Sequence, residues 1–390
     1  MTGATEPRWV RVGHSSEPDS VRAGRDAARQ AASGRMPGLV LLFCSESYAL
    51  PELVAAAADE VGDAPLVGCS TAGEIATSGP KAASVVVVAM GGDGFSFSTA
   101  AASGASGRLR EAGSEVAHCV EGLDGGPHRA LLVLTDGLAG DQQEVVRGIY
   151  GVVGASIPLV GGCAGDDLKM KRTYQFHGRQ VLQDSVVAAA IASDAPIGIG
   201  VRHGWRKVGE ALLVTRSAGN RVYALDDRPA LDVYLERLDA PAAVRSDPAA
   251  FTRFAITHPL GLDRRSGVDV RFVGEANFED RCLGCIANVP ENGIAWIMEG
   301  DDGTVLEATV AACRDALSPL QDRPPLGLIA FDCIARRGVL GEEGIQREVD
   351  MICDQAGGAP VAGFYTYGEF ARTHGMSGFH NQTLVVLALG

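Results

Sequence analysis

Three acids, Glu74, Asp166 and Glu369, end three similar phrases, and an acid so placed could pair with the ammonium of a ligand. The phrases are Pro65-Leu66-Val67-Gly68-Cys69-Ser70-Thr71-Ala72-Gly73-Glu74, Pro158-Leu159-Val160-Gly161-Gly162-Cys163-Ala164-Gly165-Asp166, and Pro360-Val361-Ala362-Gly363-Phe364-Tyr365-Thr366-Tyr367-Gly368-Glu369. Each runs proline, two apolar residues, glycine, a short insert, glycine, acid. In the first, Gly73 leaves the backbone uncovered, and Ser70 and Thr71 add hydroxyls beside Cys69. The third is aromatic, and the flat body and hydroxyl of Tyr365 and Tyr367, flanking Thr366, suit the wall of a small-molecule pocket. The same residue types also make an ordinary turn whose acid caps the next segment. Both readings stand open on the residues alone.

A second group surrounds Cys333. In Phe331-Asp332-Cys333-Ile334-Ala335-Arg336 a thiol lies beside an acid and three residues from a guanidinium, the setting of a low-pKa nucleophile. A thiol enzyme centred on Cys333 is therefore one alternative, although no histidine lies nearby in sequence to act as base. Arg336 could instead grip a ligand carboxylate with its forked donors. His203 and His258 lie beside apolar segments and could ligate haem iron, which makes a haem-based gas sensor the other alternative. Several chemistries lack their motifs: no G-x-G-x-x-G follows a strand, and no Walker-type loop, H-E-x-x-H or G-x-S-x-G occurs. Cys282 and Cys285 have C-x-x-C spacing, but no second ligand pair accompanies them, and Ile286 to Met298 reads as strand and turn. No metal and no resident cofactor are expected.

The elements that must position these residues recur three times. An apolar run comes first, Leu39–Phe43, Ala130–Leu134 and Leu326–Phe331, of the kind that forms strands buried on both faces. An amphipathic helix follows. Leu50, Leu53, Val54, Ala57, Ala58 and Val61 make one stripe, with Pro51 in the first turn and Gly62 at the end. Asp141 with Glu144 suggests a capping box ahead of a stripe of Val145, Val146, Ile149, Val152 and Val153. Ile345, Val349 and Ile352 share a face in the third. The glycine-acid phrase comes next, and a strand closes each unit: Ser84–Ala89, Ser185–Ala192 and Thr383–Leu389. A helical crossover returns the chain parallel, and the closing strand is expected antiparallel. Between units two and three, Asp226 and Asp227 are read as caps of a helix Arg228–Leu238. Strands Val268–Glu275 and Gly293–Met298 and a helix Thr309–Leu317 follow. The fold class is α/β, with internally repeated β-α-β-β units forming mixed, mainly parallel sheets with flanking helices. A polar N-terminal extension (1–37), containing a short helix at Ala23–Ala32, precedes two intimately associated halves, 38–225 and 226–390.

Composition narrows the function. The chain has 390 residues, 46% hydrophobic and 21% charged, and a net charge of −14. Nucleic acid and anionic membranes are poor partners for such a balance, since phosphate binding needs a basic face. No apolar stretch approaches the roughly 18 residues needed to span a bilayer. The nine cysteines lie mostly in or beside apolar runs, as reduced thiols of a cytoplasmic protein would.

Val67 to Ile75 resembles the opening signature of the FIST sensory domain's N-terminal half, and Gly161 to Asp166 resembles its second motif. Gly204-Trp205 with Val214-Thr215, then Asp227-Arg228-Pro229-Ala230, are similar to the passage into the C-terminal half. His258-Pro259-Leu260, Phe331-x-Cys333-x-x-Arg336, Gly363 to Glu369, and Gly378 to Leu389 resemble that half's own motifs. The resemblance implies a signal-transduction sensor rather than an enzyme, binding a small ligand such as an amino acid. It also implies a haem-binding, nitric-oxide-sensing variant, since some similar bacterial proteins are of that kind. The segment before Leu39 is too short for the F-box found on eukaryotic relatives. The chain carries no kinase, methyl-accepting or cyclase-type output sequence, so a signal would pass to a separate protein. No ligand residues are carried over from the resemblance; the turns themselves give the expected ligand set, Cys69, Ser70, Thr71, Glu74, Asp166, Cys333, Arg336, Tyr365, Thr366, Tyr367 and Glu369. In it Glu74 or Glu369 holds an ammonium and Arg336 a carboxylate.

Overall fold

The computed structural model describes residues 6–264, 267–373 and 378–390. Unit one runs β1 (Trp9–Ser15), α1 (Ser20–Ala32), β2 (Leu39–Ser45), α2 (Leu50–Val61), β3 (Leu66–Thr71), β4 (Glu74–Ala76), β5 (Gly79–Lys81) and β6 (Val85–Gly91). Unit two repeats that order with β7 (Phe95–Ser103), α3 (Leu109–Ala117), β8 (His128–Thr135), α4 (Gln143–Val153), β9 (Leu159–Cys163), β10 (Gln175–His177), β11 (Gln180–Leu182) and β12 (Ser185–Ser193). Unit three opens with β13 (Ile197–Arg202) and is then interrupted. The insert holds β14 (Arg206–Ala218), β15 (Arg221–Leu225), β16 (Arg228–Pro229), α5 (Ala230–Arg237), α6 (Pro248–Ala255), β17 (Leu260–Arg264), β18 (Gly267–Arg271), β19 (Val273–Asn277), β20 (Cys282–Cys285) and β21 (Ile294–Glu299). The unit resumes with α7 (Asp302–Leu317), β22 (Gly327–Cys333), α8 (Ile334–Ala356), β23 (Val361–Thr366), β24 (Glu369–Arg372), β25 (Phe379–His380) and β26 (Leu384–Leu389).

Each unit builds the same four-stranded core, ordered β1-β6-β2-β3, β7-β12-β8-β9 and β13-β26-β22-β23. The helical crossover makes β2–β3, β8–β9 and β22–β23 parallel, as expected. Every other pairing among the described strands is antiparallel, so the sheets are mixed but mainly antiparallel, which corrects the expected parallel majority. The closing strand, β6, β12 or β26, lies between the first two strands of its unit and runs opposite to both, and only the helix-bearing link before the glycine-acid phrase makes a parallel pair. The short strands after each phrase then leave their own unit. β10 pairs with β3, β24 with β9, and β4 with β23. Unit two thus extends the sheet of unit one, three extends two, and one extends three, closing a cycle. The inner faces of the three sheets share one core. Phe43 packs 4.7 Å from Phe364 and 6.5 Å from Phe331 between ring centroids, with Leu134 and Val160 from unit two beside them. Helix pairs α1/α2, α3/α4 and α7/α8 pack together.

The glycine of each phrase has a steric reason. A Cβ on Gly68, Gly161 or Gly363 would lie 2.0, 2.0 and 1.9 Å from the carbonyl oxygen of Leu42, Val133 and Ala330 on the parallel neighbour.

Several local expectations change. Residues 9–32 are not peripheral: β1 pairs along its length with β6, and α1 buries Ala23, Ala27, Ala28 and Ala31. An edge strand that alternates, Trp9-Val10-Arg11-Val12, lacks the continuous apolar run that marks the central strands. Asp141 accepts from the backbone N of Gln143 at 3.0 Å, and Glu144 makes no cap, pairing instead with Arg110 and Arg147. Asp226 and Asp227, with φ of 49° and 60°, turn β15 into β16 rather than capping a helix, and α5 starts at Ala230. Two left-handed residues suit a tight hairpin. Cys282 and Cys285 are free, buried thiols on β20. Among the described residues, no helix is long and apolar enough to cross a membrane.

The insert forms its own sheet, β18-β17-β21-β14-β15-β20-β19. Residues of α5 and α6 share its core. It faces the loops that follow β2 and β8 and the first turn of α8 after β22. Ligands of open α/β sheets gather at that end of the strands.

Candidate ligand-binding cleft

Most of the residues singled out from sequence are consumed by the fold. Glu74 is fully buried; it accepts from the Thr71 hydroxyl, and from the Ser84 backbone N and Oγ at 3.1 and 2.8 Å. Glu369 repeats the arrangement with Thr366 Oγ1 at 2.5 Å and Thr383 N and Oγ1 at 3.2 and 2.8 Å. Each acid therefore ties its phrase to its unit's closing strand. Neither lines any of the clefts formed by the described residues below, which corrects the expected ammonium site. Ser70 donates to the carbonyl of Gly165 at 2.8 Å and accepts from Tyr174 N at 2.9 Å. Cys69 is buried in the shared core.

Burial pushes both acids up to about 7, and their hydrogen bonds only partly offset it. An ordinary glutamate titrates at 4.5, so the native state holds protons that the unfolded chain has released. The stability this lends is complete below that value and is lost as pH rises through about 7. Wild-type thermal stability should thus fall between about pH 4.5 and 7, and the Glu74→Gln/Glu369→Gln double variant should be flatter. An equally steep fall in the variant would locate the titration elsewhere.

Arg336 is wholly buried. It donates to Asp332 Oδ1 at 2.7 Å, to Thr309 Oγ1 at 2.9 Å and to Glu348. Its third nitrogen donates to the His203 carbonyl at 3.3 Å, and the side chain is inaccessible to a ligand carboxylate, so the expected clamp is lost at both ends. Burial, and then the charge of Glu369, pushes the Cys333 thiol well above its ordinary range. That is the opposite of an activated nucleophile. Tyr365 is buried under the Arg337 guanidinium, 5.4 Å from its ring, and its hydroxyl has no partner.

The two histidines open on different clefts. His203 Nδ1 accepts from Trp205 N at 2.9 Å. Its neutral ring must then carry the proton on Nε2, leaving no lone pair for iron. His258 Nδ1 donates to the Phe254 carbonyl at 2.8 Å, and its cleft is walled by Glu299, Asp301 and Asp302 against one cation, Arg206, with Val339 and Leu340 beside them. An acidic wall does not suit an apolar macrocycle with its own carboxylates, so these residues do not fit a haem. Among the described residues, no group of three or more His, Cys, Asp or Glu side chains could hold a metal.

What the fold does create is a cleft between the ring of units and the insert. It has two lobes, of about 580 and 1110 Å³. Leu168, Met170, Asn220, Phe272, Ile286, Ile334 and Ala335 line both. Leu168, Met170 and Ile286 are 61%, 55% and 44% exposed. Neighbouring large apolar side chains left that open mark a binding surface. Of the expected set only Cys333 and Tyr367 reach the wall. Tyr367 and Asp166 act by holding the loop that carries Leu168 and Met170. The Tyr367 hydroxyl donates to Asp166 at 2.5 Å and accepts from Leu168 N at 2.7 Å. Asp166 also accepts from Met170, Lys171 and Arg172 N at 2.9, 2.7 and 2.9 Å. Burial opposes that charge, but Tyr367 and the amides outweigh it and hold the carboxyl below its ordinary value. The bonds offset a strained backbone, since Asp167, Leu168 and Met170 have φ of 54°, 62° and 52°.

Asn381 was missed from sequence. It is 2% exposed, lines the smaller lobe, and its Oδ1 has no hydrogen-bond partner. An unpaired buried acceptor costs about 1–3 kcal/mol. Its only signal was position, in a polar stretch just before the apolar run of β26.

Residues 38–228 match the family model of the FIST N domain, and residues 230–372 that of the FIST C domain. The first match runs from just before β2 through unit two and β13 into the insert, leaving out β1 and α1; the second begins at α5 and ends with β24. An uncharacterized protein of Mycobacterium tuberculosis is 25% identical over 395 residues, covering 96% of this chain and 97% of that protein. An uncharacterized protein of Methanocaldococcus jannaschii is 26% identical over 190 residues, 46% of this chain and 36% of its own length. Among solved structures, T. maritima PurL complexed with ADP has a TM-score of 0.22 at 10% identity, covering 98% of this chain and 71% of that one. That likeness is too low to carry an argument.

Proposed function

The chain belongs to the FIST family of signal-transduction sensor domains, and from that premise we propose that it binds a small organic ligand in the cleft between ring and insert. The observation that carries this is the cleft itself: apolar side chains left exposed around a buried, unpartnered amide oxygen. Mostly apolar walls with a few convergent polar groups are the ordinary composition of a small-molecule site. The protein acts as a receptor rather than an enzyme, and the raised Cys333 thiol supports that division. An amino acid remains within the family expectation, but its carboxylate cannot use Arg336. The signal leaves through the loop 167–172 and the insert to a separate output protein, because the ligand would touch Leu168, Met170 and Ile286 together.

Ala335 tests the site. It is 7% exposed, sits in the first turn of α8, and lines both lobes. A metabolite at 100 times its Kd should stabilise the wild type by about 2.7 kcal/mol. In Ala335→Phe the unliganded melting temperature should barely change and the ligand-induced rise should vanish. A rise that survives the filled cleft places the ligand elsewhere.

A further inference from the structure

We propose that the ligand held in the smaller lobe is an organic amine with an apolar body and no carboxylate, an inference that rests on the cleft being the sensing site. The lining of that lobe contains one carboxylate, Asp141, and no lysine, arginine or histidine; Asp141 also walls the adjoining cleft, which holds Arg147, Arg264 and Arg271. The polar atom most in need of a partner is an acceptor, Asn381 Oδ1. Two of the lining's donors are already engaged. The Tyr367 hydroxyl donates to Asp166, and Asn220 Nδ2 donates to the Cys285 carbonyl at 2.7 Å. The guanidinium on the larger lobe, Arg337, donates to the Ala72 carbonyl and to Glu342, each at 3.2 Å.

A carboxylate entering the smaller lobe would therefore lose water without gaining a counter-charge, which is costly in apolar surroundings. An ammonium finds what it needs. Its N–H groups pair with Asn381 Oδ1, the Asp141 carboxylate balances its charge, and Leu138, Phe272 and Ile334 surround its hydrocarbon. Charge-assisted bonds of this kind are the stronger class. The net charge of −14 also favours the approach of a cation.

The test uses the full chain and three matched series: phenethylamine and isoamylamine, then phenylalanine and leucine, then 3-phenylpropionate and isovalerate. Calorimetry and thermal shift should show the amines binding at least tenfold more tightly than the matched amino acids, and the carboxylates not at all. Asn381→Leu should abolish amine binding, Asp141→Asn should weaken it about tenfold, and Asn381→Asp, which keeps the acceptor, should retain it. Amino acids or carboxylates binding as tightly as amines, with binding lost in Ala335→Phe, would overturn the amine class and leave the cleft standing. Amine binding indifferent to Ala335→Phe and Asn381→Leu would overturn the cleft. No shift with either amine, beside an Ala335-dependent hit of another class, overturns the amine alone.

Discussion

Arg336→Leu is expected to destabilise the protein by about 3–5 kcal/mol, because it leaves two acids buried without their cation. Asp332 and Glu348 both flank the guanidinium, and all three side chains are essentially inaccessible. Burial, and then the nearby Glu348, pushes the Asp332 carboxyl well above its ordinary value. Asp332 Oδ2 and Glu348 Oε2 lack partners when both are counted as acceptors. A proton held between the two carboxyls turns them into a donor and an acceptor, and the cluster becomes one cation, one anion and one neutral acid. Removing Arg336 removes the only positive charge in it. Urea unfolding measures the loss directly. Replacing the whole cluster, Asp332→Leu/Arg336→Met/Glu348→Leu, should recover most of it, since apolar substitutes avoid the desolvation penalty. A loss under about 1 kcal/mol in the single variant would mean the pair is wet and screened. The experiment also separates two roles for Arg336, since a ligand contact would lose binding at constant stability.

Gly363→Ala is the second large effect, about 3 kcal/mol and at the upper end for overpacking. The added methyl would sit 1.9 Å from the Ala330 carbonyl oxygen and 2.7 Å from its carbon. These are backbone atoms of β22, so no rotamer change relieves the contact, and β22 and β23 must separate. The separation would weaken the parallel pair that carries Cys333 and Tyr365 to their places. Gly68→Ala meets the Leu42 oxygen at 2.0 Å and should behave alike. The control is Gly151→Ala in α4, where a Cβ meets nothing within 4 Å. There alanine should stabilise by up to about 1 kcal/mol through helix propensity. Equal behaviour of Gly363→Ala and Gly151→Ala in denaturant melts would reject the steric account.

Local pattern was enough for the repeated elements. The stripe from Leu50 to Val61 became a helix with that face buried, and the apolar runs became the central strands. Each rests on periodicity within one element, which a linear chain carries in full. The recurrence of the glycine-acid phrase also announced that three units share one construction. Its geometric cause, a carbonyl oxygen 2 Å from an absent methyl, lies on a partner strand some thirty residues earlier in the chain. The cyclic exchange of hairpins was not legible, because β4, β10 and β24 are too short to announce their partners. Polar residues were read least well. Glu74, Glu369 and Arg336 carry the chemistry of a ligand clamp, yet Ser84, Thr383 and Glu348 satisfy them inside the fold. Asn381, Phe272 and Leu138 look ordinary in sequence and meet only where the insert closes over the ring. Burial of an apolar face is a property of one segment and is written in its spacing. Whether a polar group is spent or available depends on which distant atom lies within 3 Å of it, and only the folded chain decides that.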